Sequence, residues 1–344
     1  MKGKSMNLNN VDLIGIEYPM DDPDFPEAVR LQRCPEKLRP KLNEGAQQQI
    51  LRPASGEIRF VTDDNRARIT VSGVNEPIKA TIFFGEFQLE IQNIPAHPTT
   101  IDIEMPQGLA ELDPKYPKKM PFNPKVIRLQ FWGGQVRLHN IEGSKIRPPQ
   151  PEELPAKRLL TYGTSITHGA AASAPHLSYA TQLARRLKMD LINLGLGGSC
   201  HCEYEMADYI ASRNDWDVAT LALSVNMSNG NFTLNEFADR VNYMVDRVAG
   251  SNTNRPVFAI TLYPYFGDFG IYPGGKEKLH GMPEDFRQEL RDAVDNAGHK
   301  NLHLIEGPDI LSDIGGLTPD LIHPADNGMI QMGENLAKKI RGFL

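Results

Sequence analysis

Cysteine is scarce: the 344 residues include three, Cys34, Cys200 and Cys202. A low, odd count excludes a disulfide framework. Cys200 and Cys202 flank His201, but a C-x-C with one histidine lacks the second ligand pair of a zinc site. They read as small buried side chains beside a loop, with no metal. Excess positive charge is also missing. Lys and Arg number 37 against 43 Asp and Glu, a net charge of -6. That leaves no basic footprint for nucleic acid or an anionic membrane surface, and suits a small neutral or oligomeric substrate. No apolar run is long enough to span a bilayer. The first thirteen residues have no apolar stretch of the kind a secretory signal needs, so the expected location is cytoplasmic. No repeat period points to a propeller or solenoid.

What is present divides in two. Through residue 148 the chain carries short runs rich in β-branched and aromatic residues: 56–64, 66–74, 79–94, 99–106, 125–134 and 135–143. Several alternate apolar with polar, and Gly, Asn, Asp or Pro punctuate them. This predicts an N-terminal β-sandwich over 1–148. A proline-rich stretch, 149–157, reads as a stiff linker. From 158 to 344 the rhythm is strand then helix. Buried strands at 158–163, 190–195, 217–225, 256–264 and 301–307 alternate with helical patterns at 178–187, 203–212, 234–249, 283–298 and 327–343. The expected fold is α/β, a mostly parallel sheet with helices on both faces. Sites in such sheets form where strand C-terminal ends give way to loops.

Those loops hold the chemical candidates. Ser165 sits in YGTSITHG after the first strand, either a turn serine or an exposed nucleophile. INLGLGGS follows the second; its glycines let a backbone approach a ligand, or serve packing or phosphate binding. The dinucleotide reading fails, because no G-x-G-x-x-G opens the helix with an acidic partner behind it. Asn226 lies just past the third strand, a turn residue or a donor aimed inward. In DLIHP, Asp320 three residues before His323 can hold one imidazole nitrogen and free the other as a base, or simply form a turn.

Taken in order, these blocks resemble the SGNH (GDSL-like) hydrolase family across 156–344. Ser165 matches the nucleophile. Gly198 matches the second-block glycine, five positions after Asn193. Asn226 matches the third-block asparagine, and Asp320 and His323 the last pair. The common G-D-S reads Gly163-Thr164-Ser165, and the common G-x-N-D reads Ser224-Val225-Asn226-Met227. Neither change removes a reacting group, though both mark a divergent branch. The resemblance implies a three-layer α/β/α, flavodoxin-like hydrolase domain. The stretch leading into it looks like a two-domain branch with a jelly-roll-like sandwich in front, among whose members carbohydrate acetylesterases occur. It also implies a Ser165–His323–Asp320 triad, an oxyanion hole of the Ser165 and Gly198 N–H groups and the Asn226 amide, and no cofactor. The expected substrate is an acetyl ester on an oligosaccharide, such as an acetylated xylo-oligosaccharide. The rivals are a lipid or thioester acylhydrolase and a glycan-binding protein without catalysis.

Further candidates for substrate contact are Thr164, His168, His201 and Tyr265. His168 is also a rival base, or else a loop-packing histidine. The aromatic loop 263–275 either stacks on a sugar or packs against the sandwich or another copy, which leaves a homo-oligomer open. Trp132 reads as sandwich core rather than a sugar platform.

Overall fold

The protein is described from a computed structural model, which covers residues 8, 10–17, 19–113, 115, 116, 120–223, 225–230, 232–273, 275, 276 and 279–344. Ser224, one of the divergent positions, lies outside them.

The N-terminal half contains β1 (Asp12–Ile14), β2 (Met20–Asp21), β3 (Val29–Leu31), α1 (Glu44–Gln49), β4 (Glu57–Phe60), β5 (Arg66–Gly73), β6 (Ile78–Phe84), β7 (Phe87–Ile94), β8 (Thr99–Glu104), α2 (Gln107–Ala110), β9 (Ile127–Trp132) and β10 (Val136–Gly143). Two antiparallel sheets form, in the orders β1-β4-β9-β6-β7 and β2-β3-β10-β5-β8. Period-two patterning puts Ala67, Ile69 and Val71 of β5 on the inner face and Arg66 and Arg68 outside. Ile58, Phe60, Ile82, Phe84, Leu129, Phe131 and Leu138 fill the space between the sheets. This is the expected sandwich.

The C-terminal half runs β11 (Arg158–Gly163), α3 (Ser165–His168), α4 (Tyr179–Leu187), β12 (Asp190–Gly195), α5 (Tyr204–Ser212), β13 (Val218–Ala222), α6 (Val225–Ser228), α7 (Leu234–Gly250), β14 (Val257–Ile260), α8 (Pro283–Ala297), β15 (Leu302–Ile305), α9 (Gly307–Ile310) and α10 (Asp326–Ile340). The five strands are parallel, in the order β12-β11-β13-β14-β15. α5, α7 and α8 cover one face through Met206, Ile210, Phe237, Val241 and Leu290; α4 and α10 cover the other through Leu183, Met332 and Leu336. The chain winds from β11 to one side and then the other, so the crevice at the C-terminal ends of β12, β11 and β13 is the topological switch point. Among the described residues, no helix is long and apolar enough to cross a membrane.

Packing does not follow the division at residue 148. Ile14, Cys34, Leu38, Leu42, Ala46 and Ile50 are buried in the core of the C-terminal half with Leu194, Cys200 and Met206, not in the sandwich. From Cys34 to Ile50 these side chains fall every fourth residue, but Pro35 and Pro40 interrupt the stretch and its α-helix is limited to the six residues of α1. The proline-rich stretch is also docked. Arg147 forms a two-pronged ion pair with Glu153 at 2.7 and 2.9 Å, and the Glu153 carbonyl accepts the Asn123 N–H at 3.0 Å.

A buried charge network closes the seam between the halves. Arg59 of β4 forks onto Asp190, the first residue of β12, and its Nε donates to Glu57 at 2.7 Å. Arg128 of β9 donates to both Glu57 oxygens, at 2.6 and 2.9 Å. A cleft along this seam, lined by Glu57, Phe122, Arg128, His176 and Lys188 among others, contains none of Ser165, Asp320 and His323.

Candidate active site

Ser165 begins α3, a single turn immediately after β11. As the first helical residue, its N–H has no carbonyl partner within the helix. Thr164 is the N-cap, buried, with its hydroxyl accepting the Ile166 N–H at 3.4 Å. Its hydroxyl therefore caps the helix. The turn ends at Gly169, whose φ of +99° is a left-handed C-cap.

Two approaches hold this turn against the sheet. A Cβ on Gly195 would lie 2.3 Å from the His168 nitrogen and 2.6 Å from the Thr167 carbonyl carbon, so only glycine lets β12 and α3 meet. Asn193 stitches the same contact: its Nδ2 donates to the Thr167 carbonyl at 2.8 Å, and its Oδ1 accepts the Gly195 N–H at 2.8 Å. From the sandwich, Trp132 Nε1 donates to the Gly169 carbonyl at 3.1 Å. Trp132 is half-buried and outside the sandwich core; it docks one half of the molecule onto the α3 turn.

The structure brings Ser165, His323 and Asp320 together. The Ser165 hydroxyl lies 2.8 Å from His323 Nε2, and His323 Nδ1 lies 2.7 Å from Asp320 Oδ2. The other Asp320 oxygen accepts the Ile322 and His323 N–H groups, both at 2.9 Å, and the Thr318 hydroxyl at 2.8 Å. Partial burial raises the Asp320 carboxyl, but the His323 N–H, the His323 ring, the Ile322 N–H and the Thr318 hydroxyl outweigh it. They hold Asp320 well below the ordinary carboxylate range. An ionised Asp320 accepts a hydrogen bond from Nδ1–H and keeps the proton on that nitrogen, so Nε2 is free to accept from Ser165.

The loop that presents this pair is strained and supported. Leu321 has a φ of +55°, a left-handed conformation that costs a non-glycine residue about 1–2 kcal/mol. Its carbonyl accepts the Phe266 N–H at 2.8 Å. Tyr265 is buried on Val225 and Leu262, with Phe266 and Ile322 packed against that group. The aromatic loop thus underpins the Asp320–His323 turn, with Tyr265 packed inside it.

The Gly loop follows β12. Gly198 is exposed with a φ of +68°, and a Cβ there would meet nothing within 4 Å. Asn226 in α6 accepts the Cys200 N–H through Oδ1 at 3.1 Å, which leaves its Nδ2 hydrogens for another acceptor. The helix-start N–H of Ser165, Gly198 and Asn226 thus follow the C-terminal ends of three adjacent strands, β11, β12 and β13.

The other histidines are not placed as bases. His168 is buried with Nδ1 3.2 Å from the Gly195 carbonyl; burial, reinforced by Arg33, pushes it down to about 3. It is neutral packing under the Gly loop. His201 stacks on Phe232 at 4.9 Å between ring centres, and its carbonyl accepts from Arg240 at 2.8 Å. Cys200 and Cys202 are buried free thiols, and among the described residues no group of three His, Cys, Asp or Glu side chains is placed to hold a metal ion.

Residues 33–50 wrap the far side of the Gly loop. Arg33 donates to the carbonyls of Asn193, Gly195 and Gln49, and Asn43 donates to that of Ser199 at 3.0 Å. Nothing in the sequence around Arg33 marks it as near a site 160 residues away.

A model of the GDSL-like lipase/acylhydrolase family matches residues 156–341. No curated protein sequence matches the chain. Solved structures share the two-part architecture at low identity. A salicylyl-acyltransferase, SsfX3, from a tetracycline biosynthetic pathway is 15% identical, with a TM-score of 0.78 over 97% of this chain and 96% of its own. A family two carbohydrate esterase from Cellvibrio japonicus is 12% identical, with a TM-score of 0.62 over 97% and 95%. A family two carbohydrate esterase from Clostridium thermocellum, in complex with cellohexaose, is 15% identical, with a TM-score of 0.58 over 83% and 91%.

Proposed function

Since the chain belongs to the GDSL-like lipase/acylhydrolase family, and is an ester hydrolase, we propose that it cleaves small acyl esters, acetyl groups on oligosaccharides foremost, through an acyl-enzyme on Ser165. The observation that carries this is the unbroken relay from Ser165 Oγ to His323 Nε2 at 2.8 Å and from His323 Nδ1 to Asp320 at 2.7 Å.

His323 takes the serine proton as Oγ attacks the ester carbonyl. Asp320 holds the imidazole in register and stabilises the imidazolium. The Ser165 N–H, the Gly198 N–H and Asn226 Nδ2 receive the developing oxyanion. His323 then protonates the departing alcohol, and water, activated by the same imidazole, releases the acid. Carbohydrate is the favoured alcohol because the esterases of like architecture include one solved with cellohexaose.

The test is threefold. Wild-type protein should react with a fluorophosphonate and hydrolyse p-nitrophenyl acetate, and Ser165→Ala should do neither while melting normally. Normal turnover by Ser165→Ala would exclude the serine, and an unlabelled wild type would favour a glycan-binding protein. Acetate release from acetylated oligosaccharides should exceed hydrolysis of long-chain esters. A preference for long chains would favour a lipid acylhydrolase, since each buried methylene is worth about 0.8 kcal/mol.

A second reading is favoured by the full-length likeness to the salicylyl-acyltransferase. The same acyl-enzyme could be discharged by an alcohol other than water. An added acceptor alcohol that diverts acetate into a new ester would establish it.

A further inference from the structure

Arg33 is a buried cation without a counter-ion. It is 1% exposed, and among the described residues no carboxylate lies within ion-pair distance of it. Its partners are three carbonyl dipoles: Nη1 donates to Asn193 O at 3.0 Å and Gly195 O at 2.8 Å, and Nη2 to Gln49 O at 2.7 Å. Burial pulls it down to about 10, so it stays charged at neutral pH. Removing a guanidinium from water without a carboxylate is unfavourable for folding. Such a desolvated, unpaired charge marks a functional-site candidate.

The carbonyls it chooses locate that use. The Gly195 oxygen takes Arg33 and approaches His168 Nδ1 at 3.2 Å. On the other side of the same peptide unit, the Leu196 N–H donates to the Gly163 carbonyl at 2.7 Å. One peptide therefore links the guanidinium to the end of β11, two residues before Ser165, and to the strand end three residues before Gly198. The rest of the segment tightens the hold. The Gln49 carboxamide lies over Gly197, with its Oε1 3.4 Å from where a Cβ would sit. A Cβ on Gly45 would lie 2.2 Å from Ser199 Oγ, so α1 seats directly on the loop.

We propose that Arg33 is a positioning residue for the oxyanion loop: its fork sets the Gly195–Gly198 backbone against the nucleophile turn, and its charge behind the loop favours negative charge on the reacting oxygen. This rests on the acyl-enzyme reading. It brings into the active site a segment that lies outside the region matched by the family.

A purely structural role and a positioning role give different kcat values in Arg33→Met. Methionine fills similar length and removes the desolvated charge. As a positioning residue, Arg33→Met should lower kcat for p-nitrophenyl acetate about 10- to 100-fold, as small misplacements of reacting groups do. KM should stay within about twofold, and Tm should fall, since the carbonyls of Asn193, Gly195 and Gln49 lose a buried donor. A lower Tm with kcat within about twofold of wild type overturns the proposal. Arg33→Lys keeps the charge but cannot fork onto three carbonyls. Its kcat should fall between those of wild type and Arg33→Met. If Arg33→Met does not fold, a wild-type kcat in Arg33→Lys overturns the proposal and a reduced one at unchanged KM supports it. Failure of the acyl-enzyme reading is distinct, because it shows in wild-type protein that neither labels nor hydrolyses.

Discussion

At the scale of single residues, Asn226 shows how one side chain can join two loops. Its carbonyl end is committed to the Cys200 N–H, so only the amide end is available to the reacting oxygen. Asn226→Ala should therefore lower kcat by about 10²–10³ with little change in KM, the usual effect of losing one oxyanion donor. Asn226→Asp keeps the acceptor for Cys200 and loses the donor. A kcat as low in Asn226→Asp as in Asn226→Ala assigns the effect to the amide hydrogens, and an unchanged kcat in either removes Asn226 from the site. Ser165, Gly198, Asn226, Asp320 and His323 were legible because each sits at a strand end or beside a helix start, in a recognisable order. The burial of Thr164 and Tyr265 was not. Side-chain direction in a loop has no period, so nothing in the sequence said that Thr164 turns inward as a cap or that Tyr265 packs on Val225.

At the scale of elements, the nucleophile turn is short and depends on its neighbours. Four residues of α3 cannot hold themselves helical in isolation. They are fixed by the Thr164 cap, the Gly169 exit, Asn193 and the bare backbone of Gly195. Gly195→Ala should push α3 off β12, costing about 1–3 kcal/mol or more of stability and most of the activity. Gly198→Ala meets no atom, so its cost is the left-handed φ alone, about 1–2 kcal/mol. Thermal melts beside kcat values would check the pair; equal destabilisation by both would contradict the close approach at Gly195. The long elements were readable for the converse reason. The 15-residue α8 and α10 and the 17-residue α7 each run through several turns with an apolar stripe. α3 and α6 carry no such stripe, and β1 to β3, at two or three residues each, carry no alternation.

At the scale of the whole molecule, the seam rests on charge. Burial raises the Glu57 carboxyl, and the guanidiniums of Arg128 and Arg59 more than reverse this, holding it at about 2. A folded value below the ordinary one, about 4.3, means that the stabilisation is complete above that pH and is lost as pH falls toward 2. Glu57→Gln should therefore destabilise the protein by about 3–5 kcal/mol at pH 7, where it leaves the buried Arg128 guanidinium without its carboxylate while Arg59 keeps Asp190. The gap to wild type should close as pH approaches 2. Melts of both proteins from pH 7 down to 2.5 would show this, and a gap that does not change with pH would contradict it. The two architectures were legible from the change of rhythm near residue 150. Their interlocking was not, because Arg59 and Asp190 meet across 131 residues.

Residues 33–50 also set a timetable for synthesis. Asn43 leaves the ribosome 156 residues ahead of Ser199, the residue whose carbonyl it binds. At about 5–20 residues per second, that is roughly 8–30 s of waiting. The sandwich strands β4 to β10 emerge during this interval, while the Cys34–Ile50 segment keeps its apolar side chains without their final partners. The catalytic half can complete itself only after its last strands arrive, with a piece of chain delivered at the beginning. A nascent chain stalled before β12 would thus expose Leu38, Leu42 and Ile50, the surface a chaperone would find first.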